Sequence, residues 1–383
     1  MITITFENTG KYTDLEFPCR EKDLQAAMDL IGAEHKRIHY MTIYDVLSPV
    51  ELIFLENRVV DLDELNFLAK RLEHMTPEEL PEFFAAAKSE GMRNINDLIN
   101  LTYNLNAYTV IRDMTDLREV GRKYLSTVKP NMSPQEWGAT DFASVGRQLI
   151  NSGKGVITEH GIVFKNEGMK QTMVYTGTTF PDFDYKGNSL VHLSLTYADQ
   201  CESVYLPTEA LALEKTALRL GAPSLSKCEA HLLDFGVDNP KWIERFRAML
   251  EQDGVVAANI VATAIDTCDV NLDKLSAVMK YAGADSPSDI VKLIDRLNCF
   301  TFVPTAKNYE DVGHYVMDCM AEHALHPSYA PYFDYKAFGK DFSEKYNAQI
   351  VPGGIVFMDG PLTLDEILER EPEQTVQMGA IQM

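Results

Sequence analysis

The residues best spaced for metal chemistry stand in "AEHALH" (321–326), where Glu322, His323 and His326 lie together. A zinc-hydrolase helix carries His-Glu-x-x-His, with the imidazoles four apart so that both face one ion. Here the histidines are three apart and the first half offers no matching third ligand, so the spacing predicts no metal centre. "GRQLINSGKG" (146–155) joins Gly to Lys as a phosphate loop does. Its spacing differs, however, and Gly155 stands where a Ser or Thr would hold magnesium, so it reads as a turn. There is no Gly-x-Ser-x-Gly elbow, and none of Cys19, Cys201, Cys228, Cys268, Cys299 and Cys319 has an obvious histidine partner or forms a CxxC pair. Reduced thiols are the expectation for such scattered cysteines. With 57 Asp and Glu, carboxylate pairing cannot single out an acid–base couple. The expectation is a protein that is not an enzyme and takes no cofactor.

The carboxylates matter instead as a field. Against them stand 35 Lys and Arg, for a net charge of −22. Such a field repels nucleic acid and anionic membrane and attracts basic surfaces. No basic stripe is present for phosphate contacts. At 45% hydrophobic the 383 residues can still bury real cores, so this is no disordered acidic tail. No apolar run approaches the ~18–20 residues of a membrane span. The opening MITITFENTGKYTD has no basic, then apolar, leader pattern, which favours the cytoplasm.

The positioning elements come in two sets. "DLINLTYNLNAYTVIRDMTDLREVG" (97–121) aligns without gaps on "DIVKLIDRLNCFTFVPTAKNYEDVG" (289–313), with Asp97/Asp289, Leu101/Leu293, Asn106/Asn298 and Gly121/Gly313 identical. Gly146/Gly339 follow, and "HGIVF" (160–164) is echoed by "GGIVF" (353–357). Near the start, "FPCREKDLQAAMDLIG" (17–32) matches "LPTEALALEKTALRLG" (206–221). Shared order with small drift predicts a tandem duplication rather than a solenoid.

Each copy reads as α+β. ITITF (2–6) and LVHLSLTY (190–197) alternate as strands do. Residues 20–31 and 208–220 read as amphipathic helices closed by Gly32 and Gly221. In 61–75 the leucines recur on one helical face, with Asp61 and Glu64 as a capping-box-like start. Thr76, Pro77 and Glu79 open the next helix. The strands "AYTVI" and "CFTFV", a short helix around Gly121 or Gly313 and a closing hairpin complete a copy. After Pro361 a short capped helix runs from Thr363 to about Arg370, and the tail beyond is expected to fray. Expected boundaries are 1–170 for the first repeat (about 1–58 α+β, 59–105 helical, 106–170 α+β), 186–360 for the second, and 361–383 for helix and tail.

Duplex DNA carries about one charge per 1.7 Å, so 22 net charges match the phosphates of roughly 11 base pairs. Carboxylates expected on solvent faces are Asp61, Asp63, Glu64, Glu73, Glu78, Glu79 and Glu82, then Asp334, Asp341, Glu344, Asp365, Glu366 and Glu369. By periodicity alone, these are also what solvated helix faces look like.

The run "YFDYKAFGKDF" (332–342), preceded by "YEDVGHYVMD" and followed by "GGIVF", resembles the C-terminal part of the ArdA antirestriction proteins. "NTGKYTDLEFPCREKDLQAAMDLIG" (8–32), "DLDELNFLAKRLEHMTPEEL" (61–80), "LREVGRKYL" (117–125), "DFASVGRQL" (141–149) and "TEHGIVF" (158–164) resemble the same family in the first copy. The resemblance covers most of 1–165 and 289–358, and residues 222–288 match weakly. It implies an elongated tandem of three-part units (small α/β, helical, α+β) acting as a DNA mimic. The implied partners are the DNA-binding subunits of type I restriction-modification enzymes, with no direct binding of nucleic acid and no membrane. Two copies would form a pseudo-dimer in one chain, with a further homodimer open. The signature residues would be Asp141, Gly146 and Arg147, and Tyr332, Asp334, Tyr335, Phe338, Gly339 and Lys340. Gln148 stands where the second copy has Asp341, and Lys336 and Lys340 depart from the family pattern. Tyr335 and Phe338 are expected inward, with the acids outward. Two other readings stay open: a scaffold binding another defence or regulatory protein through apolar contacts, and an enzyme whose site forms only in the fold.

Overall fold

Alternation makes the first strand: Ile2, Ile4 and Phe6 are buried while the residues between them are not. The computed structural model describes residues 1–33, 40–320, 325 and 328–370. Glu322, His323, His326 and the expected tail lie outside the described residues. β1 (Ile2–Asn8) turns through Thr9 and Gly10, both at positive φ, into β2 (Lys11–Phe17). α1 (Glu21–Ile31) ends at Gly32 in the left-handed region, as expected of that glycine. β3 (Tyr40–Ser48) and β4 (Val59–Asp61) complete a sheet in the order β2-β1-β3-β4. Three helices follow, α2 (Leu62–Glu73), α3 (Glu79–Ser89) and α4 (Ile95–Thr102). Next come β5 (Tyr108–Ile111), α5 (Leu117–Val128), α6 (Pro134–Ala139), α7 (Phe142–Asn151), β6 (Val156–Thr158) and β7 (Gly161–Lys165), with sheet order β5-β7-β6. The helix expected around Gly121 is thus three turns long.

The second half follows a similar order of elements, with a three-stranded sheet where the first half has four strands. β8 (Val191–Tyr197) and β9 (Gln200–Leu206) lead into α8 (Ala210–Arg219), and β10 (Glu229–Phe235) joins them in the order β10-β8-β9. After β10 the weakly matching stretch is helical, with α9 (Pro240–Gln252), α10 (Gly254–Cys268) and α11 (Leu272–Ala282), and α12 (Pro287–Asp295) opens the matched segment. β11 (Phe300–Val303), α13 (Tyr309–Tyr315), α14 (Tyr335–Lys345), β12 (Gln349–Val351) and β13 (Gly354–Met358) give the order β11-β13-β12. α15 (Leu364–Leu368) carries the expected capping box between Thr363 and Glu366.

The chain is therefore an α+β protein with several small antiparallel sheets. Its parallels are detailed. β5 pairs with β7 from Tyr108↔Lys165 to Ile111↔Ile162, and β11 with β13 from Phe300↔Met358 to Val303↔Ile355. Asn66 clamps the backbone N–H and C=O of Cys19 at 2.9 and 3.0 Å, and Asn259 clamps those of Thr208 at 2.9 and 2.8 Å. This clamp registers α10 on α2: Leu62, Leu65, Leu68, Ala69 and Leu72 are buried, and so are Val255, Ala258, Val261, Ala262 and Ile265.

The chain divides into two compact units, 1–188 with 194–204 and 209–229, and 189–193 with 205–208 and 230–383. This division departs from the repeat boundary expected between 170 and 186, because α8 of the second repeat is built into the first unit. Within that unit one continuous core runs from β1 through α1, α2, α3 and α4 to Tyr108, Val163 and Tyr175, so packing shows no break at 58/59.

Candidate functional site

Of the carboxylates expected on the surface, those opening α2 are turned to other work. Asp61 caps α2, accepting from the N–H groups of Asp63 and Glu64 at 2.8 and 3.3 Å. Asp63 is only 9% exposed, and its Oδ1 lies 2.5 Å from Nζ of Lys215, itself 1% exposed. Glu21 Oε2 stands 2.8 Å from the same ammonium. Glu64 does not close the expected capping box. It accepts from the Tyr175 hydroxyl at 2.8 Å, and the Asn96 amide, turned to donate, reaches both its oxygens at 2.8 and 2.9 Å. Burial lifts the carboxyls of Glu21, Asp61 and Glu64 above the ordinary range, and Asp63 raises Asp61 further. Desolvation and then the Glu64 charge push the Tyr175 phenol up.

The reason is geometric. Residues 171–188 and α8 cover the face of α2 that periodicity left to solvent. Phe180 stacks on Phe67 with centroids 4.6 Å apart, and Arg219 lies over Phe180 while bridging buried Glu202 at 2.5 Å. Sequence reasoning missed Lys215, Arg219 and Glu202. Lys215 sits beside the α8 core positions Leu213, Thr216 and Ala217, where a solvent-bound lysine is the ordinary reading.

The remaining acids do face outward. Glu73, Glu78 and Glu79 are exposed, and Glu82 is half-exposed, 3.6 Å from Arg112. Glu73 accepts from the Tyr185 hydroxyl at 2.5 Å, and Glu79 exchanges capping bonds with Thr76 at 2.9 and 3.2 Å. Asp334, Asp341, Glu344, Asp365, Glu366 and Glu369 are exposed too. Lys292, 2.8 Å away, holds Glu369 below the usual range, as the Thr363 N–H does Glu366.

The signature segments are helix starts and crossings. Asp141 caps α7 through Ser144 N–H at 3.2 Å, and Asp334 caps α14 through Ala337 N–H at 2.9 Å. Gly146 lies against Gly121 of α5, and Gly339 against Gly313 of α13; a Cβ at any of the four would collide with a carbonyl oxygen of the crossing helix. Arg147 and Lys340 are exposed. Phe338 packs on the core of its module, and Tyr335 stacks on His314 at 3.7 Å. Tyr332, which precedes the helix, is 88% exposed.

The matched helices α5 and α13 differ in charge. Arg118, Arg122 and Lys123 stand where α13 has Glu310, His314 and Tyr315, a contrast already present in the aligned sequence.

In the first unit a cleft of about 510 Å³ is lined by Tyr40, Arg58, Asp61, Glu64, Arg93 and Tyr175 among others. Its three half-buried carboxylates are engaged, Asp61 and Glu64 in the cap and hydrogen bonds just described and Asp97 with the Asn94 amide at 2.6 Å. Among the described residues no group of three His, Cys, Asp or Glu is placed to hold a metal, and no helix is long and apolar enough to cross a membrane. No family model and no curated protein matches this chain.

Proposed function

We propose that this protein is a tandem ArdA-like inhibitor that occupies the DNA-binding groove of type I restriction-modification enzymes in the cytoplasm, as a covalent pseudo-dimer. The observation that carries this reading is the excess of 57 carboxylates over 35 cations on a chain whose two halves match in sequence. The exposed acids on α3, α14 and α15, with Glu73 at the end of α2, are the surface offered to the groove. Asp61, Asp63 and Glu64 are withdrawn from it. The mechanism is electrostatic and steric competition, with no bond made or broken.

The test is displacement. The protein is titrated into a type I methyltransferase holding labelled cognate duplex, at low and high salt. Release of DNA that weakens steeply with salt is expected; no release at either salt defeats the reading.

One observation favours a second reading, a scaffold docking through apolar contacts. Tyr40, Tyr44, Leu47, Val50, Ile53 and Val59, in β3, β4 and the turn joining them, are exposed. If displacement fails, capture that survives high salt and is lost on Tyr44→Asp or Ile53→Asp would support it.

A further inference from the structure

We propose that copies of this chain associate head to tail, with α1 of one copy docking on α10 of the next as α8 docks on α2 within the chain. The internal junction is the template. Its central contact is Lys215 on Asp63, flanked by Arg219 over Phe180 and Phe180 on Phe67.

Each side of that junction has a second version elsewhere in the chain. α8 corresponds to α1: Leu213, Thr216, Ala217 and Leu220 match Leu24, Ala27, Met28 and Ile31, all buried, and both helices run into a glycine in the left-handed region. α2 corresponds to α10 through the Asn66 and Asn259 clamps.

At these matched positions the ionic pair becomes an apolar one on both sides. Ala26 stands for Lys215 and Val256 for Asp63; Leu30 stands for Arg219 and Ile260 for Phe67. All four replacements face solvent, Leu30 at 70% exposure and Val256 and Ile260 at 51% each. No charged residue occurs on α10 from Gly254 to Ile265. A helix with no charge on its outer face before Asp266, in a chain of net charge −22, calls for a cover.

A second copy is the occupant the page supports, because it brings the helix whose exposed face changed in step with α10. At the four matched positions neither side carries charge, so two strongly negative molecules can approach there, with Lys22 and Asp29 flanking the contact on α1. The contact is heterologous, and repeated use gives open chains unless the rotation closes.

The experiment measures mass against concentration by analytical ultracentrifugation of the full chain, with circular dichroism as the control for folding. The parent is expected to associate as concentration rises, no less at high salt than at low. Leu30→Asp and Ile260→Asp, both at solvent-facing positions, are expected to leave monomers. Ala26→Lys and Val256→Asp alone are each expected to weaken association at least tenfold. The double variant Ala26→Lys/Val256→Asp recreates the internal pair between chains, and should regain association in a form that salt now weakens. A parent monomeric at every concentration overturns the proposal, as does association indifferent to Leu30→Asp and Ile260→Asp. A double variant no better than either single one overturns the pairing of α1 with α10. This reading stands apart from the DNA-groove proposal, since neither experiment uses the other's readout.

Discussion

Lys215 is the residue on which most depends. Its ammonium is shared by two carboxylates in a space water does not reach. Replacing it with Met removes the ammonium bound directly to Asp63 and Glu21, which costs about 3–5 kcal/mol. Urea denaturation should show that loss, and Lys215→Met/Asp63→Leu should recover part of it. A Lys215→Met protein as stable as the parent would mean the pair is not held as described. Gly339 is the second such residue. A methyl there meets the Tyr309 carbonyl oxygen across the helix crossing, so Gly339→Ala should cost about 1–3 kcal/mol through overpacking. Thermal unfolding checks it, with Ala337→Gly on exposed α14 surface as a comparison of opposite sense. That glycines occur at 121, 146, 313 and 339 was plain from the letters; that they meet in pairs was not, because a gap of 25 or 26 residues says nothing about which helices cross.

At the scale of elements, the start of α2 should respond to pH. A carboxyl whose folded value is raised holds its proton more tightly in the folded state. Its contribution to stability is full below its unfolded value and is lost as pH rises through its folded value. Glu21, Asp61 and Glu64 all shift this way. The melting temperature should therefore climb as pH falls from neutral toward the ordinary carboxylate range, the direction in which relief of self-repulsion also acts. Glu64→Gln isolates the local part: the climb should shrink in that variant, and an unchanged climb would assign it to global charge. Most elements were legible from periodicity and caps. The strands at 2–8 and 191–197, the helix ends at Gly32 and Gly221, and the box at Thr363 and Glu366 all follow local rules. Glu64 departed because Tyr175, 111 residues on, competes for its carboxylate.

For the whole molecule, the repeat and the compact unit are different things. A fragment ending at residue 170 lacks Tyr175, Phe180 and Lys215, which cover α2. It should show noncooperative unfolding and bind a hydrophobic dye, whereas a fragment ending at residue 229 should melt cooperatively. Cooperative melting of the shorter fragment would show that the first repeat closes its own core. The proposed groove occupancy would rest on many exposed acids. Losing any one should barely alter displacement of DNA, while reversing Glu73, Glu78, Glu79 and Glu82 together should abolish it in the titration described above.

The amino-acid sequence by itself determined the α+β class, the order of elements, the repeated glycines and the sign of the field. Each of these is set by spacing along the chain or by a sum over it. Tertiary structure decided which acids reach solvent. Periodicity finds the face a helix turns to its own core, but it is blind to a second cover arriving from far along the chain. That is why Asp63 read as a surface acid and Lys215 went unread, when each is buried by the other.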